Sequence, residues 1–217
     1  MAPDGSDRTV IYRSKQGLLS SPAWSPDGSQ VAFVEYRFPQ SAPDWISDIY
    51  IIDRDGDDLS RVTETSGVSE DELDWSSRDM FVFRASHDRY DSQAYELFTM
   101  KPDGRELRQL TDNDVSDSQP DWAPDGDRLT FVRGDDKPVP NWKPPDRTGQ
   151  IWTMDASGTP AAGIASGHSP TWAPDGTAIA FASEAGDAIH AVAPDGGPTT
   201  VIGRPVKKGS ISELDWQ

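Results

Sequence analysis

Five tryptophans recur in one local setting along this chain: Trp24, Trp75, Trp122, Trp172 and Trp216. Three of them open the same phrase: Trp24-Ser25-Pro26-Asp27-Gly28, Trp122-Ala123-Pro124-Asp125-Gly126 and Trp172-Ala173-Pro174-Asp175-Gly176. Successive tryptophans stand 51, 47, 50 and 44 residues apart. A period of that size means one supersecondary unit copied along the chain. A single small unit cannot bury its apolar faces alone, so the copies must stack. Stacked repeats build extended binding surfaces and seldom a catalytic pocket within one copy.

The first copy shows the grammar. Trp24 closes a short apolar segment, and Ser25-Pro26-Asp27-Gly28 follows. Proline presets φ, aspartate suits the next turn position, and glycine takes the left-handed position that closes a bulged hairpin. Val31–Val34 and Ile49–Ile52 are β-branched or aromatic runs, and Asp53-Arg54-Asp55-Gly56 is a second tight turn before the short strand Arg61–Thr63. Later copies repeat these runs at Met80–Phe83, Leu129–Val132 and Ile179–Ala182, then at Leu97–Met100, Ile151–Met154 and Ile189–Val192. No segment has a capped 3.6-residue apolar period. Four short antiparallel strands per copy predict an all-β fold, a β-propeller of four-stranded blades, with the repeated aromatic rings between blades. The copies span about 22–63, 73–111, 120–165 and 170–203. The second departs: Trp75-Ser76-Ser77-Arg78-Asp79 lacks Pro and Gly and is one residue shorter before the next strand, which predicts a tighter turn.

Charge and cysteine content narrow the functions available. The formal net charge is −17, which disfavours nucleic acid and anionic membranes as partners and leaves cationic proteins, metal ions and neutral ligands. With no cysteine, neither disulfides nor thiolate metal sites contribute. No apolar run is long enough to cross a membrane, and the residues after Met1 hold no apolar stretch of the kind a secretion signal needs.

At these residues the chain resembles the TolB-type, WD40-like (PD40) β-propeller repeat family. That family writes Pro-x-Trp-Ser-Pro-Asp-Gly, an Ile-Ala-Phe strand, Ile-Tyr-x-x-Asp-x-Asp-Gly and Leu-Thr. Pro22 to Thr63 matches nearly throughout, Pro120 to Gly158 and Pro170 to Gly196 match well, and Leu73 to Thr111 is degenerate at its first turn. The resemblance implies a binding scaffold of the periplasm or cell surface. It also extends to the gating propellers of some serine peptidases, so an accessory domain of a larger hydrolase is the alternative, and a purely structural propeller fragment a third.

Residues 8–12 read as the outer strand of a blade and 212–216 as the inner strand of another. Four full copies with these flanks allow a five-part ring sharing a blade between chain ends, or an incomplete ring. Open end strands would also invite self-association.

Strand direction alternates, so all Pro-Asp-Gly turns lie on one face and the variable links on the other. The long links 35–48 and 134–149 carry Tyr36, Phe38, Trp45, Trp142 and Lys143, the candidate anchors for a protein or peptide partner. The alternative use of the two tryptophans is to pin their own loops to the rim. The links between copies carry acid, with Glu70, Asp71 and Glu72 in one and Asp112, Asp114 and Asp117 in the next. They predict a solvated acidic rim that would steer a basic partner. Asp74, Asp121 and Asp215 each precede a repeat tryptophan and could ring the channel mouth, where a hard cation such as Ca²⁺ would find oxygen ligands.

No nucleophile elbow, zinc-protease helix, phosphate loop or dinucleotide fingerprint is present. His190 occupies the slot of Tyr50, Phe98 and Trp152 and is expected as an aromatic substitute in the core. His87 falls in a loop. His168 lies near the proposed channel mouth with Ser166 and Ser169 close in sequence, a poor arrangement for a triad. The expectation is a non-enzymatic scaffold.

Overall fold

The computed structural model describes residues 6–15, 17–37, 46–65, 68–86, 95–134 and 149–203. Among them the repeat grammar becomes four blades of antiparallel strands, with no helix. Blade 1 holds β1 (Gly17–Trp24), β2 (Gln30–Arg37), β3 (Ile46–Asp53) and β4 (Ser60–Arg61). Blade 2 holds β5 (Ser69–Trp75), β6 (Phe81–Ser86), β7 (Glu96–Met100) and β8 (Arg108–Gln109). Blade 3 holds β9 (Ser116–Trp122), β10 (Arg128–Gly134), β11 (Gly149–Asp155) and the first part of β12 (Pro160–Trp172). The rest of β12 is the inner strand of blade 4, followed by β13 (Ile179–Ala182), β14 (Ile189–Val192) and β15 (Thr200–Gly203). Sequential strands pair in each blade, and β12 joins the last two blades into one seven-stranded sheet.

The Pro-Asp-Gly turns form as their residues dictate. Gly28 has φ +67° and donates its N–H to the Ser25 carbonyl at 2.9 Å, while Ser25 N–H closes the hairpin on Gln30. The Asp27 carboxylate accepts the Ser29 N–H at 3.0 Å and the Ser25 hydroxyl at 2.7 Å, fastening the turn from inside. In blade 2 the turn is shorter, as its sequence predicts. Ser76 N–H reaches Met80 instead, and Asp79 takes the left-handed position at φ +59°. Its carboxylate accepts the Trp75 indole N–H at 3.0 Å, a bond that offsets part of the strain.

Blades pack by a repeated rule. Trp75, Phe81 and Phe83 of blade 2 cluster with Ala32, Val34, Ile49 and Ile51 of blade 1. Trp122, Leu129 and Phe131 meet Val82 and Leu97, and Trp172, Ile179 and Phe181 meet Val132 and Ile151. Each blade turns its bulky rings toward the smaller aliphatic face of the blade before it. Phe81, Phe131 and Phe181 are at most 2% exposed, and each contributes about 2–3 kcal/mol of apolar burial. The rule has one exception. Trp75, Trp122 and Trp172 are 8%, 7% and 3% exposed, but Trp24 is 57% exposed. No blade precedes blade 1 among the described residues, so its bulky face is covered only in part, by Ile11 and Tyr12 packed on Val31, Phe33, Tyr50 and Ile52.

Three details differ from the sequence expectation. Residues 8–12 make no strand ladder among the described residues, although Ile11 sits against Gly56 as Val62 sits against Gly104 and Leu110 against Gly158. The links before Trp75 and Trp122 are inner strands from Ser69 and Ser116 onward, so Glu70 and Asp117 are buried at 2% and 0% rather than forming a solvated rim. Finally, no separate link parts blades 3 and 4. The expected strand 212–216 lies outside the described residues.

Candidate binding face and central channel

The inner strands β1, β5, β9 and the second half of β12 line the channel, and all four carry the same irregularity. Pairing skips between Ser20 and Ala23, between Asp71 and Asp74, and between His168 and Thr171; in β9 it skips between Ser118 and Asp121. The extra residue is left-handed every time: Ser21 at φ +50°, Glu72 at +51°, Gln119 at +52° and Ser169 at +51°. A non-glycine residue held there costs about 1 kcal/mol or more, so the surroundings must enforce it. They do so from blade to blade. The Glu72 carboxylate accepts the Gln119 backbone N–H at 2.6 Å, and the Gln119 side-chain oxygen Oε1 accepts the Ser169 N–H at 2.6 Å. The Ser21 hydroxyl donates to Asp71 at 3.2 Å.

Asp74 and Asp121 extend this ladder. Asp74 accepts the Trp75 and Trp122 N–H groups at 2.7 and 2.8 Å, and Asp121 accepts the Trp172 N–H at 2.7 Å. Both therefore clip one blade to the next beside a cavity of about 390 Å³ at the Pro-Asp-Gly end of the channel. Asp215 lies outside the described residues. Among the described residues no three His, Cys, Asp or Glu side chains converge as a metal-holding group.

A second cavity of about 820 Å³ occupies the middle of the channel, with Tyr36, Asp71, Glu72 and Gln119 in its wall together with Ser20 and Ser21. Tyr36 is the predicted anchor that the structure places: it stands one residue from the end of β2, where the long link begins. Burial, reinforced by the Asp71 charge, raises its hydroxyl pKa above the ordinary value. Burial alone would raise Asp71 as well, but Arg84 at 3.3 Å and the Tyr36 hydroxyl outweigh it and hold that carboxyl low. Phe38, Trp45, Trp142 and Lys143 lie outside the described residues.

Toward the long-link end, two blade junctions each bury a pair of carboxylates. Between blades 1 and 2, Asp48 is clamped by Arg37 and by Arg61 at 2.8 Å. Its neighbour Glu70 receives the hydroxyls of Thr63 and Thr65 at 2.7 and 2.8 Å. Burial pushes Glu70 up to about 7 despite those donors, and the Asp48 charge adds to the rise. Between blades 2 and 3, Asp117 takes two bonds of 2.7 Å from Arg133, while Glu96 is held by Thr111 and Asn113. Burial again raises the Glu96 pKa.

His190 stacks on Phe181 with ring centroids 5.4 Å apart, in the aromatic slot expected for it. His168 is buried with Nδ1 3.2 Å from the Ser169 hydroxyl, at the bulge of β12. The bulge residues were missed as a set by sequence reasoning. Their signal was a polar residue three positions before each tryptophan, followed by proline in three of the four copies.

No family model matches the chain. A TolB homolog of Chlorobium luteolum is 30% identical over 129 residues, which is 59% of this chain and 27% of that protein. The crystal structure of TolB from Acinetobacter baumannii superposes with a TM-score of 0.67 at 19% identity, over 96% of this chain and 49% of that one. The nidogen/laminin complex gives a TM-score of 0.61 at 14% identity, over 87% of this chain and 64% of the matched chain, a likeness of fold alone. The chain thus spans about half or less of the length of these two TolB proteins. The tryptophan-headed repeat, the bulged four-stranded blades and the likeness to TolB proteins in both sequence and fold agree: the chain is a β-propeller whose WD40-like repeats are similar to those of TolB.

Proposed function

We propose that this chain is a non-enzymatic propeller scaffold that binds a protein or peptide partner on the face carrying links 35–48 and 134–149, and that the partner brings positive charge. The observation that carries this reading is the 820 Å³ cavity, walled by Tyr36, Asp71 and Glu72 in a chain of net charge −17. Tyr36 joins that cavity to the base of a long link, so an anchor on the link and a basic side chain in the cavity could be held at once. Phe38, Trp45 and Trp142 supply apolar contact area in this reading, and Lys143 a polar contact at the rim. The field of so acidic a surface speeds encounter with a basic partner and weakens with salt. A chain of the nidogen/laminin complex is similar in fold, which supports protein recognition by this architecture. The likeness to TolB proteins supports a periplasmic or cell-surface site of action.

The test is capture of a partner from extract of the source cell, followed by titration with that partner. Replacing Trp45 and Trp142 together by alanine is expected to cost about 2 kcal/mol or more of binding, and raising salt to weaken it further. Equal affinity of wild type and double variant would overturn the assignment of this face. Titration with and without Ca²⁺ tests the cation site expected at Asp74, Asp121 and Asp215.

A further inference from the structure

Among the described residues, blade 1 presents an apolar face that is covered only in part. Trp24 is 57% exposed, with Leu19 at 44% and Val10 at 58%. Beside them runs a groove of about 320 Å³, walled by Val10, Ile11, Tyr12, Leu19, Val31 and Phe33, with no charged side chain in its lining. The molecule shows three times what such a face does when it has a partner: the equivalent tryptophans of blades 2, 3 and 4 are buried in a blade-to-blade contact. Apolar surface of this kind on a strongly charged protein marks an interaction site.

The charges at its rim indicate the partner. Strand register puts Gly17, Arg37 and Ile46 at one end of the blade and Trp24, Gln30 and Asp53 at the other. Exposed Arg13 and Lys15 lie just before Gly17, at the first end. Exposed Asp55, Asp57 and Asp58 follow Asp53 at the second, where they outnumber Arg54. The face is therefore positive at one end, apolar in the middle and negative at the other end. A two-fold axis lying in the interface and running outward from the channel reverses one copy end for end. It sets Arg13 and Lys15 of each copy against the three aspartates of the other and brings the two apolar centres together.

We propose that this face is a self-association surface through which two copies of the chain meet about such an axis. Trp24 of each copy packs in the contact, as Trp75, Trp122 and Trp172 pack within the chain. Elsewhere, copies of net charge −17 repel one another, and the charge pattern directs them to this face.

Sedimentation velocity over a wide concentration range tests the proposal. The wild type is expected to pass from one-chain to two-chain mass, with association weakened by salt. Trp24→Glu should raise the dissociation constant by more than about tenfold. Leu19→Glu should act likewise and serves if Trp24→Glu disturbs the circular dichroism spectrum. Arg13→Glu with Lys15→Glu should weaken association, and adding Asp55→Lys and Asp57→Lys to the same chain should restore it. Leu107→Glu, at a site 61% exposed between β7 and β8, should leave the mass unchanged. One-chain mass at every concentration would overturn the proposal, whether Trp24 proves open to a fluorescence quencher or shielded by another part of the chain. So would a dimer that survives both Trp24→Glu and Leu19→Glu.

Discussion

Blade 4 is a trimmed version of blades 1 to 3. In blade 1, β2 and β3 run eight residues each; in blade 4, β13 and β14 run four. A tight turn joins β13 to β14, with Ser183 N–H on the Ala188 carbonyl at 2.9 Å and Gly186 N–H on Ser183 at 2.8 Å. The difference falls at one end only. The extra length of the earlier blades lies toward the long links, and it is there that Asp48, Glu70, Glu96 and Asp117 are buried. The position of Asp48 and Glu96 is held in blade 3 by Gln150, and the junction to blade 4 is closed by Gly167 and His168. The apolar layer of Trp and Phe is thus common to every blade, while a second, ionic layer is added only where strands continue upward to carry links. Tall blades need internal counter-charges; short ones end where the apolar layer ends.

The largest effect that would sharpen this contrast comes from Arg133. Arg133→Met leaves the Asp117 carboxylate buried at the blade 2/3 junction without the cation that its own blade supplies. A loss of about 3–5 kcal/mol is expected in urea unfolding, and most of it should return in Arg133→Met with Asp117→Leu. Stability unchanged by the single variant would break the idea that the upper layer is held by ion pairs.

Next in size is the response to pH. The Glu70 pKa rises from an ordinary 4.5 to about 7 in the fold, so the folded chain holds a proton the unfolded chain gives up. Its stabilising contribution is full below about 4.5 and is lost as pH climbs through about 7, a loss of up to about 3 kcal/mol. Glu96 is shifted in the same direction and adds to the slope. Urea midpoints measured from mildly acidic to mildly alkaline pH should fall, and Glu70→Gln should flatten the curve. A rising midpoint would show that these carboxylates are better compensated than the geometry indicates.

The smallest effect tests the short blade. A Cβ on Gly167 would stand 2.4 Å from the Ala182 carbonyl oxygen and 2.7 Å from the Phe181 ring. Gly167→Ala should cost about 2 kcal/mol by overpacking, because no upper layer exists there to yield. A thermal melt indistinguishable from wild type would mean that this junction is looser than its contacts.

The apolar half of the molecule was legible in the sequence. Trp, Phe and β-branched residues alternate with the period of two that strands require, and glycine marks each Pro-Asp-Gly turn because few other residues accept its φ. The shortened turn at Ser76–Asp79 and the aromatic slot of His190 could be read the same way. The polar half was not legible. Glu70 and Asp117 look like surface acids in a link, since nothing local announces that Thr63, Thr65 and Arg133 will enclose them. Those partners come from a neighbouring blade or from the far end of a strand pair. The left-handed Glu72 and Gln119 are hidden for a similar reason: the bonds that hold them run to or from another blade. Trp24 shows the converse, since its phrase matches Trp122 and Trp172 but its exposure depends on a neighbour that local sequence does not describe.

The unbroken run of β12 has a further consequence. The connections between blades 1 and 2 and between blades 2 and 3 include residues 62–65 and 110–115, which lie outside every ladder although Thr63, Thr65, Thr111 and Asn113 among them hold buried carboxylates. Between Gly163 and His168 no loop intervenes: every residue but Ile164, the extra residue at a shift of register, belongs to a ladder of one blade or the other. An insertion between Gly163 and His168 is expected to cost pairing in blade 3 or blade 4.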